Sequence, residues 1–134
     1  MIDPKALNLL ANEKVSVLVI ELSDGPHGAA MHFAYDPQGG DIYFSTHNST
    51  KKVTAVFPAK AALVVGFSET DWETLQMKGM LDKIEGNPAK EKIIAKYPGD
   101  AKHFSDESVF LRFTPTWWRY TDFKTHPSTV MESQ

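Results

Sequence analysis

The densest group of anion-seeking side chains runs through Phe44-Ser45-Thr46-His47-Asn48-Ser49-Thr50-Lys51-Lys52. An apolar, aromatic run reads as a strand up to Thr46, and a short polar loop follows. From Ser49 to Phe57 the apolar residues fall at 53, 56 and 57, a helical spacing closed by Pro58, so a single short helix is expected there. The free amides and positive dipole end of a helix's first turn attract anions. Lysines in that turn are unfavourable for an empty helix, each by roughly 0.3 to 1 kcal/mol at low salt, and a bound phosphate would reverse the sign. Lys51 and Lys52 therefore mark either a phosphate site or an exposed helix whose lysines point into water, and the residues alone leave both open.

Other chemistry is harder to build from this composition. There is no cysteine, which removes disulfides, thiolate metal sites and thiol nucleophiles together. The five histidines, at 27, 32, 47, 103 and 126, show no metal-ligand spacing, so no metal site is expected. Ser49 and His47 carry no nucleophile-elbow signature and are not expected to act as a catalytic dyad. No general acid or base can be named, and redox chemistry would require a borrowed cofactor. In Trp117-Trp118-Arg119-Tyr120 the adjacent tryptophans must face opposite sides of a strand, one toward the core and one toward a surface or interface. With 14 Lys plus Arg against 17 Asp plus Glu, a net charge of −3, the chain lacks the basic excess of a nucleic-acid binder.

The elements that must position these residues read as mainly β. Asp3-Pro4 is an N-cap signal for a helix running to about Asn12, and the β-branched run from Val15 ends at the turn Ser23-Asp24-Gly25-Pro26. Segments 28–35 and 41–46 read as a hairpin, as do 61–67 and 72–84, the last with Gly79 inside it. A helix follows Asn87-Pro88 and stops at Pro98-Gly99, and a long final strand, broken at Pro115, runs to Phe123. Six strands in 134 residues, joined by hairpins, predict one domain over 1–123, a six-stranded antiparallel small barrel with peripheral helices. The tail, 124–134, reads as unstructured. The N-terminus lacks a signal-peptide pattern, and the longest apolar run, Ala61 to Phe67, is far short of the ~20 residues that span a bilayer. A soluble cytoplasmic protein without membrane or nucleic-acid partners is expected.

The stretch from Phe44 to Lys52 resembles, without a gap, the strand-to-helix segment of the pyridoxamine 5′-phosphate oxidase-like FMN-binding split barrels. Similarity continues through Val15 to Pro26, through Ala61 to Phe67, at Gly79 within Gln76-Met77-Lys78-Gly79-Met80, and at Tyr97-Pro98. It covers roughly residues 5 to 123 and is nearest the short, general-stress-protein-like members. The resemblance implies a six-stranded split β-barrel that forms a homodimer, with FMN in a groove at the subunit interface. It implies phosphate contacts from Thr50, Lys51 and Lys52, ribityl or ring-edge contacts from Ser45 and Thr46, and a flavin face lined by main chain at Ala30, Met31 and His32. Thr74 stands where the oxidases place a flavin-contacting glutamine, and Trp117 could border the isoalloxazine across the dimer.

The family's phosphate-binding arginine on the second strand has no counterpart in Gly28-Ala29-Ala30-Met31, and the only arginines are Arg112 and Arg119. The C-terminal extension that contacts substrate phosphate in the full-length oxidases also has no counterpart. The expectation is thus an FMN-dependent oxidoreductase acting with a small-molecule substrate or NAD(P)H, and not a vitamin B6 oxidase. A non-catalytic flavin-binding or sensing module is the alternative. The same fold could instead hold the deazaflavin F420, or haem with His32 or His47 as axial ligand.

Overall fold

A computed structural model describes residues 2–133. The chain opens with α1 (Pro4–Asn12), whose first turn is held by Asp3: its carboxylate accepts from the Lys5 amide at 2.8 Å, and Pro4 fills a position that needs no donor. Ala6, Leu9 and Leu10 are its buried stripe. The strands follow as β1 (Val15–Leu22), β2 (Gly25–His32), β3 (Ala34–Tyr35), β4 (Ile42–His47), β5 (Ala59–Val65), β6 (Glu73–Ile84), β7 (Ser108–Asp122) and β8 (Thr129–Glu132), with α2 (Gly86–Lys96) between β6 and β7. All pairings are antiparallel, in the order β2-β1-β5-β6-β7-β4-β3, and β8 is added to β7. The sheet curls around one core that includes Leu18, Ile20, Phe33, Phe44, Leu63 and Phe113, while Tyr43, Tyr97 and Phe110 join Ile93 of α2 in a second cluster outside the barrel.

The mainly β split barrel is the architecture expected, with eight strands in place of six. One extra strand arises because the segment expected as 28–35 divides at Phe33. There the Tyr97 hydroxyl stands in for a strand partner: it accepts from the Phe33 amide at 3.3 Å and lies 2.7 Å from the Phe33 carbonyl and 2.8 Å from that of Lys14, its one proton serving either oxygen. The other is β8. The tail read as unstructured pairs with β7, Arg119 opposite Glu132 and Asp122 opposite Thr129. β4 pairs with β7 only as far as Phe113, so the remaining edge of β7 is open and the tail satisfies it.

A second correction concerns the helix expected from 49 to 57. Only Lys51–Thr54 is helical, as a four-residue 3-10 turn without a side-chain cap. Val53 in that turn and Ala55 and Phe57 beyond it pack on the core while Val56 is 86% exposed, a period of two and not of 3.6. The helix-dipole argument loses most of its force in so short a turn. Gly79 is required by the crossing of β6 and β7 at a register shift: a Cβ there would lie 2.2 Å from the Thr114 carbonyl oxygen. Among the described residues no helix is long and apolar enough to cross a membrane.

The end of α2 fastens the fold. Lys96 donates to the carbonyls of Leu10 (3.1 Å) and Glu13 (2.6 Å) at the close of α1 and lies 3.8 Å from the Phe33 ring centroid. Burial lowers its pKa from 10.5 to about 8, partly offset by Glu13, whereas burial raises that of Tyr97 to about 12. Between about pH 8 and 10 the folded chain releases the Lys96 proton while the unfolded chain keeps it, so stability rises with pH. Above about pH 10 the unfolded tyrosines ionise first and stability falls. Urea titrations from pH 7 to 11 should show this maximum, and Lys96→Met should flatten its rising side. Tyr97→Phe strands the backbone groups of Phe33 and should lower stability by about 1 to 3 kcal/mol, read from the same titrations.

Candidate functional site

The break at Phe33 creates the feature that carries the candidate site. β2 remains paired with β1, whereas β3 pairs with β4 through Ala34 opposite Tyr43 and Tyr35 opposite Ile42. Carried back along the chain, that register sets Ser45 opposite His32 and Thr46 opposite Met31, but no strand ladder forms between β2 and β4. They flank an open seam, and β2, last in the pairing order, keeps one backbone edge without a strand partner.

Strand alternation divides the expected site residues between two faces. Ile42 and Phe44 enter the barrel core, and Thr46 continues on their side, its hydroxyl bonded to that of Thr50 at 3.1 Å. Ser45 faces the other way, into a cavity of about 150 Å³ beside His32, Ile93, Tyr97 and Asp100. On β2, Met31 is buried in the core and its carbonyl accepts from the Ser16 hydroxyl at 3.0 Å, while Ala30 and His32 are exposed. The His32 ring stacks on Tyr97 at 4.5 Å, which fixes the imidazole against α2's end. The Ser45 and Thr46 side chains therefore lie on opposite faces of β4.

The loop after β4 carries the basic pair on the 3-10 turn Lys51–Thr54, which packs against β1. Lys51 is exposed and stands 3.9 Å from Asp24 in the β1–β2 turn, a loose surface pair. Lys52 is only 8% exposed, yet its ammonium has no hydrogen-bond or ion-pair partner among the described residues. Burial pushes its pKa down, with no neighbouring carboxylate to restore it. The tip is not sealed, because no fully enclosed side-chain nitrogen or oxygen among the described residues lacks a partner. A desolvated cation open at its end suits an anion arriving from solvent. Glu107, sixty residues from His47, reaches over the same loop, and no spacing in the sequence signals that contact.

Two other expected residues lie elsewhere in the chain. Thr74 borders a depression with Gly66, Phe67, Trp72 and Phe123, about 23 Å along β6 from the Leu81–Ala59 pairing where the loop after Lys52 enters the sheet. Trp117 sits opposite Lys78, whose ammonium covers its ring at 5.0 Å, while Trp118 packs on the core. The two tryptophans face opposite sides, as the alternation requires. Beside Trp117 an apolar groove of about 780 Å³ crosses β1, β5 and β6, lined by Val19, Ala62 and Met80, with Glu21, Lys60 and Lys78 also at its walls. No cluster of three or more metal-binding side chains occurs among the described residues.

No family model and no curated protein matches the chain. Solved structures do. General stress protein 26 from Bacillus anthracis str. Sterne superposes with a TM-score of 0.74 at 19% identity, over 96% of this chain and 96% of that one. A pyridoxamine 5′-phosphate oxidase-related, FMN binding protein from Nostoc punctiforme gives 0.71 at 13%, over 98% and 90%. The heme storage protein HutZ from Vibrio cholerae gives 0.70 at 12%, over 84% and 89%. This chain has the fold of these proteins, the one its sequence resemblance implied.

The unpaired charge has a measurable consequence in the protein alone. Lys52→Met should raise stability toward denaturant by about 0.5 to 2 kcal/mol at neutral pH, since it removes a desolvated cation and keeps its apolar stem.

Proposed function

We propose that this protein binds FMN at the β2–β4 seam and works as a flavin-dependent oxidoreductase. The observation that carries the reading is Lys52, a buried lysine whose ammonium, open at its tip, has no partner among the described residues, on a loop that also presents Lys51 and the Thr46–Thr50 hydroxyl pair. A phosphate dianion would supply the missing counter-charge, accept from these donors and displace the weak Lys51–Asp24 contact. The unpartnered edge of β2 near Ala30 and His32 offers alternating amide and carbonyl groups suited to the polar rim of an isoalloxazine ring. Bound there, the flavin would supply hydride transfer, and the chain would hold and orient it. Thr46 is the β4 side chain that serves such a ligand, while Ser45 contributes main chain.

Thr74 and Trp117 fit this reading only through a second copy of the chain. The groove beside Trp117 is apolar at its centre, and its walls carry both an acid, Glu21, and the bases Lys60 and Lys78. Two copies related by a two-fold axis can bury the apolar strip and pair these charges. The dimer would then present residues of one protomer to the seam of its partner.

Purified protein, titrated with FMN, should develop a shifted visible flavin spectrum and quenched fluorescence. Lys51→Ala combined with Lys52→Ala should weaken FMN by about a hundredfold and riboflavin much less, since each lysine contributes a charge-assisted hydrogen bond to phosphate. Equal FMN affinity in the double variant would overturn the phosphate assignment. Stopped-flow mixing of the loaded protein with NADH or NADPH separates an oxidoreductase, which is reduced, from a flavin-storing module, which is not. A Soret band in place of flavin absorbance would assign the seam to haem.

A further inference from the structure

The loop that presents Thr50, Lys51 and Lys52 is itself organised by one imidazole. His47 Nδ1 accepts from the Ser49 amide at 3.1 Å and lies 2.7 Å from the Ser49 hydroxyl. The His47 carbonyl accepts from the Thr50 amide at 3.1 Å and from the Thr50 hydroxyl at 3.0 Å. On the other side of the ring, Nε2 meets Glu107 Oε2 at 2.5 Å, and the Asn48 amide donates to the Glu107 carbonyl at 2.9 Å. Six bonds thus tie the loop to His47 and to the segment before β7.

We propose that His47, held by Glu107, is the positioning residue of the anion loop, and that its neutral form is the one that keeps the loop ready to bind. The proposal rests on the phosphate reading of Lys51 and Lys52, but its physical content is local. An amide can only donate, so the nitrogen facing it must carry a lone pair; His47 is therefore the Nε2–H tautomer, donating to the carboxylate. A second proton would go to Nδ1. The ring would then donate to the Ser49 hydroxyl 2.7 Å away and lose the Ser49 amide, so the turn at Ser49 would loosen, and Thr50 with the lysines behind it would leave the arrangement that places them at the seam.

Glu107 is the charged group in contact with the ring, at Nε2. Asp106 adjoins Glu107 in the chain, Lys51 and Lys52 follow on the 3-10 turn, and β7 supplies the neutral Ser108 opposite His47. Protonation leaves the Glu107 contact intact and acts on the Nδ1 side alone, which faces the binding loop.

Asparagine separates the two roles of this histidine. Its side-chain oxygen accepts from the amide two residues on, as His47 Nδ1 does, and does not titrate. At about pH 8, His47→Asn should bind FMN within about threefold of wild type, and His47→Ala about tenfold more weakly, the equivalent of one lost hydrogen bond. Lowering the pH to about 5.5 weakens every variant as the FMN phosphate itself protonates near pH 6. Wild type should weaken about fivefold more than His47→Asn, the excess belonging to His47. In flavin-free protein, amide exchange at Ser49 and Thr50 should lose protection in His47→Ala, and in wild type but not His47→Asn at the lower pH. Unchanged exchange in His47→Ala, or equal pH slopes for wild type and His47→Asn, would overturn the proposal. Should no variant bind FMN while exchange responds as described, the FMN reading fails and the positioning role of His47 stands.

Discussion

The hydroxyl of Tyr97 decides where this barrel splits. By occupying the amide and carbonyl of Phe33 it takes one residue out of strand pairing, so that β2 stays with β1 while β3 leaves with β4. A continuous strand would have closed the two halves with a full ladder and left no exposed backbone edge between them. The same hydroxyl bonds Lys14, and the neighbouring Lys96 caps the end of α1, so the split is anchored to both helices. Because Tyr97 is enclosed and its ring is stacked by His32, no water can substitute cheaply for these bonds.

What the split creates is a place where backbone and side-chain polarity is held ready and unpaired. Most buried polar groups in the molecule have found partners, and no fully enclosed side-chain atom among the described residues lacks one. Lys52 stands apart because its side chain is buried up to an open ammonium tip that no acid among the described residues answers. Such an arrangement is unfavourable for folding and favourable for capturing an anion, the usual exchange of stability for function at a binding site. Around it the loop is ordered by short polar bonds, from His47, Thr46 and Thr50, and not by a helix dipole.

Much of the architecture was legible in local pattern. Asp3-Pro4 marked α1 and the β-branched run from Val15 marked β1, whereas the reason for Gly79, a crossing that no side chain larger than hydrogen would allow, shows only in the paired strands. The misreadings share a cause. Val53, Val56 and Phe57 have helical spacing, but the core takes Val53, Ala55 and Phe57, so burial against a distant sheet overrode local periodicity. The tail lacks a strand signal of its own and becomes β8 because β7 is longer than β4 and leaves an edge to fill. Likewise Ser45 and Thr46 looked like one site in sequence, and the strand they share turns them to opposite faces.

By itself the sequence determined which residues could bind an anion, Thr50, Lys51 and Lys52, that a mainly β barrel would carry them, and that without cysteine any redox chemistry must be borrowed. Those properties follow from side-chain chemistry and nearest-neighbour spacing. Only the tertiary structure decided that Lys52 is the desolvated member of the pair, that Lys51 leans on Asp24, and that Glu107 braces His47 from sixty residues away. Desolvation and long-range hydrogen bonds depend on what the fold brings alongside a residue, and that is set by the packing of the whole sheet and not by the residues on either side.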